Sequence, residues 1–157
     1  SHPLPAVEFL MTVIIFDKPF DPWDELQRYQ YQHAEMVGRF GATAVFVGSM
    51  RDFNENENVH AMTLEHYPGM TERHLEVICE AAVKQWQLLE TLVIHRVGDL
   101  QPGEPIVLVA VWSAHRAAAF EASRHIMEDL KSKAPFWKKE SLNNGHRWVS
   151  KNTPGTT

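Results

Sequence analysis

Two neighbouring basic residues, His115 and Arg116, stand where the sequence predicts the start of a helix. They follow an apolar, β-branched run at 106–112 that is typical of a buried strand, and Ser113 is well placed to cap the helix. The free N–H groups and the positive dipole end of a helix start attract anions, so the pair could bind a phosphate there. The pair could equally be solvated or paired with an acid, and the residues alone leave both interpretations open.

Four lysines flank the proline that is expected to end this helix. Pro135 disfavours the α conformation at Ala134, which predicts a helix end near Lys133. Lysines late in a helix usually only complement its negative end, whereas a buried lysine beside another cation releases its proton more readily and can do chemistry. Phe136 and Trp137 could wall such a pocket or belong to the core. The four lysines are Lys131, Lys133, Lys138 and Lys139.

Metal and cysteine chemistry have little support in the sequence. The chain has nine histidines but neither a His-Glu-x-x-His nor a Cys-x-x-Cys motif, and His60 and His66 are too loosely spaced to define a metal site. The single cysteine, Cys79, falls on the buried stripe of an amphipathic helix, which predicts an inert, packed thiol. We therefore expect no metal site and no cysteine nucleophile.

Length and composition are typical of one soluble globular domain. The chain has 157 residues, 44% of them hydrophobic and 22% charged, and no apolar run is long enough to span a bilayer. A net charge of −5 argues against nucleic-acid binding, and a single cysteine fits a reducing compartment such as the cytoplasm. We expect a flexible or cloning-derived start at 1–10, one catalytic domain at 11–150 and a frayed tail at 151–157.

Hydrophobic periodicity predicts about three helices and several strands. The helices are expected at 22–37, behind the cap Asp21 and with Pro22 at the first position, at 71–87 and at 113–133. Strands are expected at 13–16, 41–50, 60–67, 91–97, 105–112 and 146–149. The second and third strands should pair, with a mobile polar loop at 51–58 between them. This irregular alternation favours an α+β fold with a mainly antiparallel sheet.

The third helix is expected to pack on the sheet through one apolar face. Residues on this face recur at spacings of three and four, as a half-buried helix requires. They are Ala119, Ser123, Ile126 and Leu130, with Phe120 and Met127 widening the face.

Several motifs together resemble one known family. They are Ser-Ala-His-Arg at 113–116, Leu-Lys at 130–131, Ala-Pro-Phe-Trp-Lys-Lys-Glu at 134–140, Leu-Glu-His-Tyr-Pro-Gly-Met at 64–70 and Ile-His-Arg-Val-Gly at 94–98. In this combination the chain resembles the large, catalytic subunits of molybdopterin synthase, the MoaE family. The resemblance implies an α/β-hammerhead type of α+β fold.

By this resemblance the protein would be a sulfur transferase. Molybdopterin synthase adds two sulfurs to cyclic pyranopterin monophosphate, and the C-terminal thiocarboxylate of a small ubiquitin-like subunit delivers them. The resemblance implies Lys131 as the principal acid, base and charge-stabilising residue and Lys138 as its partner. The implied substrate-binding residues are Arg51, His115 and Arg116, whose side chains suit a small anionic pterin. No metal, nucleotide or other cofactor would be needed, because the partner supplies the sulfur.

The family also implies an assembly. A homodimer of large subunits would sit within a heterotetramer, with one small ubiquitin-like sulfur-carrier subunit at each end. The carrier's glycine-ended tail would enter a groove, and the candidate lining residues are Phe53, Met127, Phe136 and Trp137. Residues near the C-terminus of one large subunit could reach the other's site, and the basic residues available for this are Arg147 and Lys151.

Two other functions remain open. One is a non-catalytic module that binds a ubiquitin-like partner or a phosphorylated metabolite, and the other is a pterin- or nucleotide-phosphate enzyme of unrelated chemistry. The lysine pair separates a binding module from an enzyme, because a module should tolerate Lys131→Ala with weakened affinity at most, whereas an enzyme should lose turnover.

Overall fold

A computed structural model describes residues 10–54, 57–142 and 145–149. The strands are β1 Leu10–Phe16, β2 Ala42–Ser49, β3 Phe53–Asn54, β4 Glu57–His66, β5 Glu90–Arg96, β6 Gly98–Leu100, β7 Pro105–Ser113, β8 Phe136–Leu142 and β9 Gly145–Val149. The helices are α1 Pro22–Gln32, α2 Met70–Trp86 and α3 Arg116–Lys133, and a 3-10 turn covers Ala34–Met36. Among the described residues, no helix is long and apolar enough to cross a membrane.

The first sheet has the strand order β1-β5-β7-β2 and is covered on both faces. β1 runs parallel to β5, and the other neighbours are antiparallel. Alternate residues of β7 therefore enter two different cores, which explains the unbroken apolar run at 106–112. Val107, Val109 and Val111 meet the buried side chains of α2 and α3. Leu108, Ala110 and Trp112 pack on the other face with Tyr29 and Met36, from α1 and the 3-10 turn.

The second sheet is antiparallel and carries one wall of the site. Its strand order is β3-β4-β8-β9, and β6 also pairs with β4. A small core of Met50, Met62, Leu64 and Leu100 lies against it. Two mainly antiparallel sheets with packed helices confirm the predicted α+β class.

A sharp corner at Pro135 connects α3 to β8. Ala134 caps the helix in an extended conformation (φ −73°, ψ 136°), as expected for a residue that precedes proline. The Thr71 hydroxyl, at the start of α2, donates to the Pro135 carbonyl at 3.0 Å and accepts from the Tyr67 N–H at 2.9 Å. These bonds fix where β8 begins.

Three of the predicted element details are wrong. The first helix ends at Gln32 rather than near Val37, because His33 leaves the helical conformation (φ −116°, ψ 46°) and a 3-10 turn follows. β2 pairs with β7, and β4 pairs with β3, β6 and β8, so the two predicted partners lie in different sheets. The polar segment at 51–58 is partly ordered as the β3–β4 hairpin, in which Phe53 opposes Asn58; residues 55 and 56 lie outside the described part.

The third helix also differs at its start and on its face. Ser113 is the last residue of β7, and His115 occupies the cap position, where its backbone N–H meets the Ser113 hydroxyl at 3.3 Å. The buried face is centred on Ala122 and Ile126, while Phe120 is 69% exposed. The face is rotated from the predicted one because α3 packs against both α2 and the sheet.

Candidate active site

One pocket lies where α3, β8 and the first sheet meet. Two lysines from different elements enter it, Lys131 from the last turn of α3 and Lys138 from β8. Most of the remaining lining is apolar. The lining residues are Phe46, Gly48, Ser49, Leu64, His95, Ile106, Val107, Met127, Leu130, Lys131, Ala134, Phe136 and Lys138.

The local fold explains why both lysines reach the pocket. Leu130 is buried in the core, so the adjacent Lys131 lies at the edge of the helix face that packs on the sheet. After the corner, side chains alternate along β8, which places Phe136 and Lys138 on the pocket side. Both lysines are half-buried.

The pocket makes Lys138 a better proton donor than an exposed lysine. Burial lowers the pKa of Lys138 most, the nearby charge of Lys131 lowers it further, and Glu140 opposes the change. An apolar pocket with two cations favours an anionic group, and the weakened hold of Lys138 on its proton favours proton transfer. The site can therefore bind a negative charge and protonate a reacting group.

His95 is a pocket residue that sequence reasoning did not select. Its ring stacks on Phe136 with centroids 3.9 Å apart and planes 15° apart, and its Nδ1 lies 2.8 Å from the Arg96 carbonyl oxygen. Burial, with the charges of Lys138, Lys131 and His66 adding to it, lowers its pKa to about 4, so the ring is neutral at pH 7. The signal in the sequence was the position of this histidine two residues after Val93. This spacing puts both side chains on the face of β5 that packs against α2 and α3.

Arg96, the next residue, fixes this end of β5 from the other side of the strand. It is buried, and its guanidinium donates to the Val97 carbonyl at 3.1 Å, the Asp99 carbonyl at 2.6 Å and the Glu104 carboxylate at 2.7 Å. The same ion pair lowers the pKa of Glu104. Arg96 thus ties β5 to the turn that leads into β7.

The structure does not bring the predicted anion-binding pair to the lysines of the same chain. His115 and Arg116 are exposed at the first turn of α3, whereas Lys131 is in its last turn. Fifteen residues of helix at about 1.5 Å each separate Arg116 from Lys131 by roughly 22 Å. Arg51 lies closer, exposed and two residues beyond Ser49 of the pocket lining.

The residues predicted to line the groove, and the two predicted to act across the dimer, divide into three groups. Met127 and Phe136 lie in the pocket. Trp137 does not line it, because alternation along β8 turns Trp137 to the opposite side, where it is 42% exposed and meets the Tyr67 ring at 5.6 Å. Phe53 and Arg147 are placed only by their strands, and Lys151 lies outside the described residues.

An α+β domain whose helix-to-strand corner presents two lysines to an apolar pocket has a site that suits an anionic ligand. Comparison with known proteins makes this specific. The family model of the MoaE protein matches residues 17–133. The chain belongs to the MoaE family.

Individual relatives agree with this assignment. The molybdopterin synthase catalytic subunit of Pseudomonas aeruginosa is 50% identical over 139 residues, which cover 88% of this chain and 90% of the relative. The MoaE protein of Burkholderia ambifaria has a solved structure that matches with a TM-score of 0.74 and 41% identity, covering 89% of each chain. The molybdopterin synthase structure from Staphylococcus aureus matches with a TM-score of 0.76 and 28% identity, covering 88% of this chain and 96% of that one.

Proposed function

We propose that this chain is the catalytic subunit of a molybdopterin synthase. It transfers sulfur from the C-terminal thiocarboxylate of a small ubiquitin-like carrier to cyclic pyranopterin monophosphate, and the product is molybdopterin. The observation that carries the proposal is the lysine pair in an apolar pocket of a MoaE-family fold. Sulfur comes from the carrier, so the chain needs no cofactor of its own.

The pocket suits the reacting groups of this chemistry. A thiocarboxylate is an anion, and two ammonium groups in an apolar surrounding stabilise it and the charge that develops when its sulfur attacks. Lys131 is the principal stabilising and acid-base residue. As the carrier's sulfur bonds to a carbon of the pterin substrate, an oxygen leaves that carbon, and Lys138, whose pKa is lowered chiefly by burial, assists as the proton donor to that oxygen. Water then cleaves the carrier's acyl–sulfur bond, which leaves the sulfur on the pterin and a carboxylate on the carrier, and a second carrier supplies the second sulfur.

The wall at Gly48 also suits an extended, glycine-ended tail. Gly48 forms part of the wall, and a Cβ there would lie 2.9 Å from Cγ1 of Val107 and 3.3 Å from Cε1 of Phe46. The carrier's tail enters beside this wall and brings its terminal sulfur to the lysines. Met127 and Phe136 supply apolar contacts to the tail.

The anion-binding pair requires a second copy of the chain. His115 and Arg116 lie about one helix length from Lys131, so they serve a pocket only if a homodimer sets them beside the partner copy's lysines. Arg51, exposed and two residues beyond Ser49 of the pocket lining, would reach the pocket from the same chain as the lysines. One large-subunit dimer with a carrier at each end gives a heterotetramer with two complete sites.

Two further properties belong to the proposal. The domain extends over 11–150, with the start and tail outside it. The enzyme works in the cytoplasm, where its single cysteine, Cys79, stays a thiol; burial raises the pKa of that thiol to about 12, which makes it inert.

Conversion of the cyclic precursor tests the function directly. The protein is mixed with carrier ending in a thiocarboxylate or, as the matched control, in an ordinary carboxylate, and molybdopterin is read as its fluorescent oxidised derivative. Product should form only with the thiocarboxylate. No product from either carrier, beside an active control synthase, would favour the binding module over the enzyme.

A further inference from the structure

His95 lines the pocket together with both lysines, yet the proposed reaction assigns it no role. It is 5% exposed and belongs to the pocket lining together with Lys131 and Lys138. Its ring lies flat on Phe136, and Lys138 follows two residues later on the same side of β8. The ring therefore touches the segment that presents Lys138.

The hydrogen bond of Nδ1 determines what the other ring nitrogen can do. A carbonyl oxygen only accepts, so Nδ1, 2.8 Å from the Arg96 carbonyl, carries the proton. In the neutral ring Nε2 is then an unprotonated acceptor. Since the Arg96 side chain is itself held by Val97, Asp99 and Glu104, the anchor of the imidazole is rigid.

A neutral acceptor is unusual in these surroundings. Three elements direct titratable groups at the ring: Lys138 from β8, Lys131 from α3 and His66 from β4. Burial, with these charges adding to it, lowers the pKa of the imidazole to about 4 and keeps the ring uncharged. The pocket consequently holds two ammonium donors and a fixed lone pair that can accept from them.

We propose that His95 is a positioning residue of the sulfur-transfer site, whose Nε2 accepts a hydrogen bond from the Lys138 ammonium and aims its remaining protons at the reacting groups. The inference rests on the proposed function for its purpose; its geometry rests on the pocket that the two side chains share and on the stacking of His95 on Phe136. An acceptor favours the charged form of Lys138 and so opposes the effect of burial and Lys131. The bond also restricts the ammonium to one orientation in the pocket.

The alternative is a purely structural role, in which His95 only fills space under Phe136. Three substitutions separate the two roles. His95→Gln places an amide oxygen near the position of Nε2 and keeps an acceptor, His95→Asn retains a donor for the Arg96 carbonyl but is too short to reach the pocket, and His95→Phe keeps the stack without either nitrogen. A space-filling role predicts that Phe is the best replacement and Gln is no better than Asn.

The test first measures the pKa of Lys138 and then the single-turnover rate. Lysine labelled with ¹³C at Cε gives the pKa of Lys138 by NMR titration of the whole protein, without any reaction. We expect a lower Lys138 pKa in His95→Asn and His95→Phe than in the unsubstituted protein, and recovery in His95→Gln. Single-turnover rates should fall about tenfold or more in Asn and Phe, with recovery in Gln and little change in the concentration of precursor needed for half-saturation.

Each result either supports or contradicts the proposed role of His95. An unchanged Lys138 pKa in both His95→Asn and His95→Phe overturns the proposal, as does a Phe variant that turns over like the unsubstituted protein. Carrier binding, measured by calorimetry, shows that each variant is folded. If the unsubstituted protein makes no molybdopterin, the proposed function fails, while the NMR titration still accepts or rejects the contact between His95 and Lys138.

Discussion

Lys131 and Lys138 face one pocket from opposite sides of the corner at Pro135. The charge of Lys131 is second only to burial in lowering the pKa of Lys138. The end of α3 and the start of β8 thus bring two positive charges into one pocket. On a solvated surface the two side chains would stay apart.

The pH dependence of turnover should report Lys138. A donor must be protonated, so the rate falls as pH rises through its pKa, and the fall comes at lower pH than for an exposed lysine because the pKa is lowered. Lys138→Arg should react more slowly but lose this alkaline fall, since arginine stays protonated. Single-turnover rates at saturating carrier over the neutral and alkaline range check this. An identical alkaline fall in the Arg variant would assign it to another group.

Phe136 and Trp137 should differ sharply despite being neighbours. Phe136 lines the pocket and stacks on His95, whereas Trp137 points to the other side of β8. We expect Phe136→Leu to lower the single-turnover rate about tenfold through misplacement of the site, and Trp137→Leu to stay within about twofold. The rates are compared at saturating carrier, so that weakened docking does not enter. Equal losses would show that the pocket is not the reacting site.

Mixed dimers test whether Arg116 acts across the dimer. Lys131→Ala and Arg116→Ala homodimers should both be inactive. In a mixed dimer, one site would combine the intact Lys131 of one copy with the intact Arg116 of the other, so about half the original activity should return. Differently tagged copies, co-expressed and purified through both tags, provide the sample. A mixed dimer as inactive as its parents would place both residues in the same chain's site.

Stability should depend on pH through Glu90, a buried carboxyl that does not line the pocket of the lysines. Glu90 is 1% exposed and accepts from the Tyr29 hydroxyl, and burial raises its pKa to about 7. The folded state then holds this proton more tightly than the unfolded state, so the contribution is full below the unfolded pKa, near 4.5, and is lost as pH rises towards 7.

Glu90→Gln isolates this effect, because the amide keeps an acceptor for Tyr29 and does not titrate. The unsubstituted protein should lose roughly 2–3 kcal/mol of unfolding free energy between about pH 5 and 7.5 relative to the variant. Urea denaturation at several pH values measures the difference. Parallel pH dependences for the two proteins would rule out a titrating Glu90.

Local signals in the sequence predicted where helices begin and end better than they predicted which strands pair. Asp21 and Pro22 marked the start of α1, and Pro135 marked the end of α3, because caps and proline act on the adjacent backbone. Pairing of β2 with β7 depends on a long-range match that no local pattern encodes. One local feature supports it, since Gly41 lets the chain pass the Ala114 carbonyl, which a Cβ would approach to 2.3 Å.

The site was predictable in part for the same reason. The lysines at 131 and 138 could be selected from their position around Pro135 and from the family resemblance. His95 was missed because a single histidine in an apolar strand is usually only packed, and its neighbours come from α3, β4 and β8. The separation of Arg116 from Lys131 already followed from the helix predicted at 113–133, and the structure places both residues on α3.

The most direct test of the account compares Lys131→Ala with Lys133→Ala in a single turnover. The two lysines are two residues apart on α3, but Lys133 is exposed and pairs with Asp129 at 3.4 Å, which makes it a matched control for loss of one positive charge. With thiocarboxylated carrier and cyclic precursor, Lys131→Ala should lose about a hundredfold or more in rate, while Lys133→Ala stays within about twofold. Equal rates in the two variants, with both folded and bound to carrier, would contradict the catalytic role of Lys131.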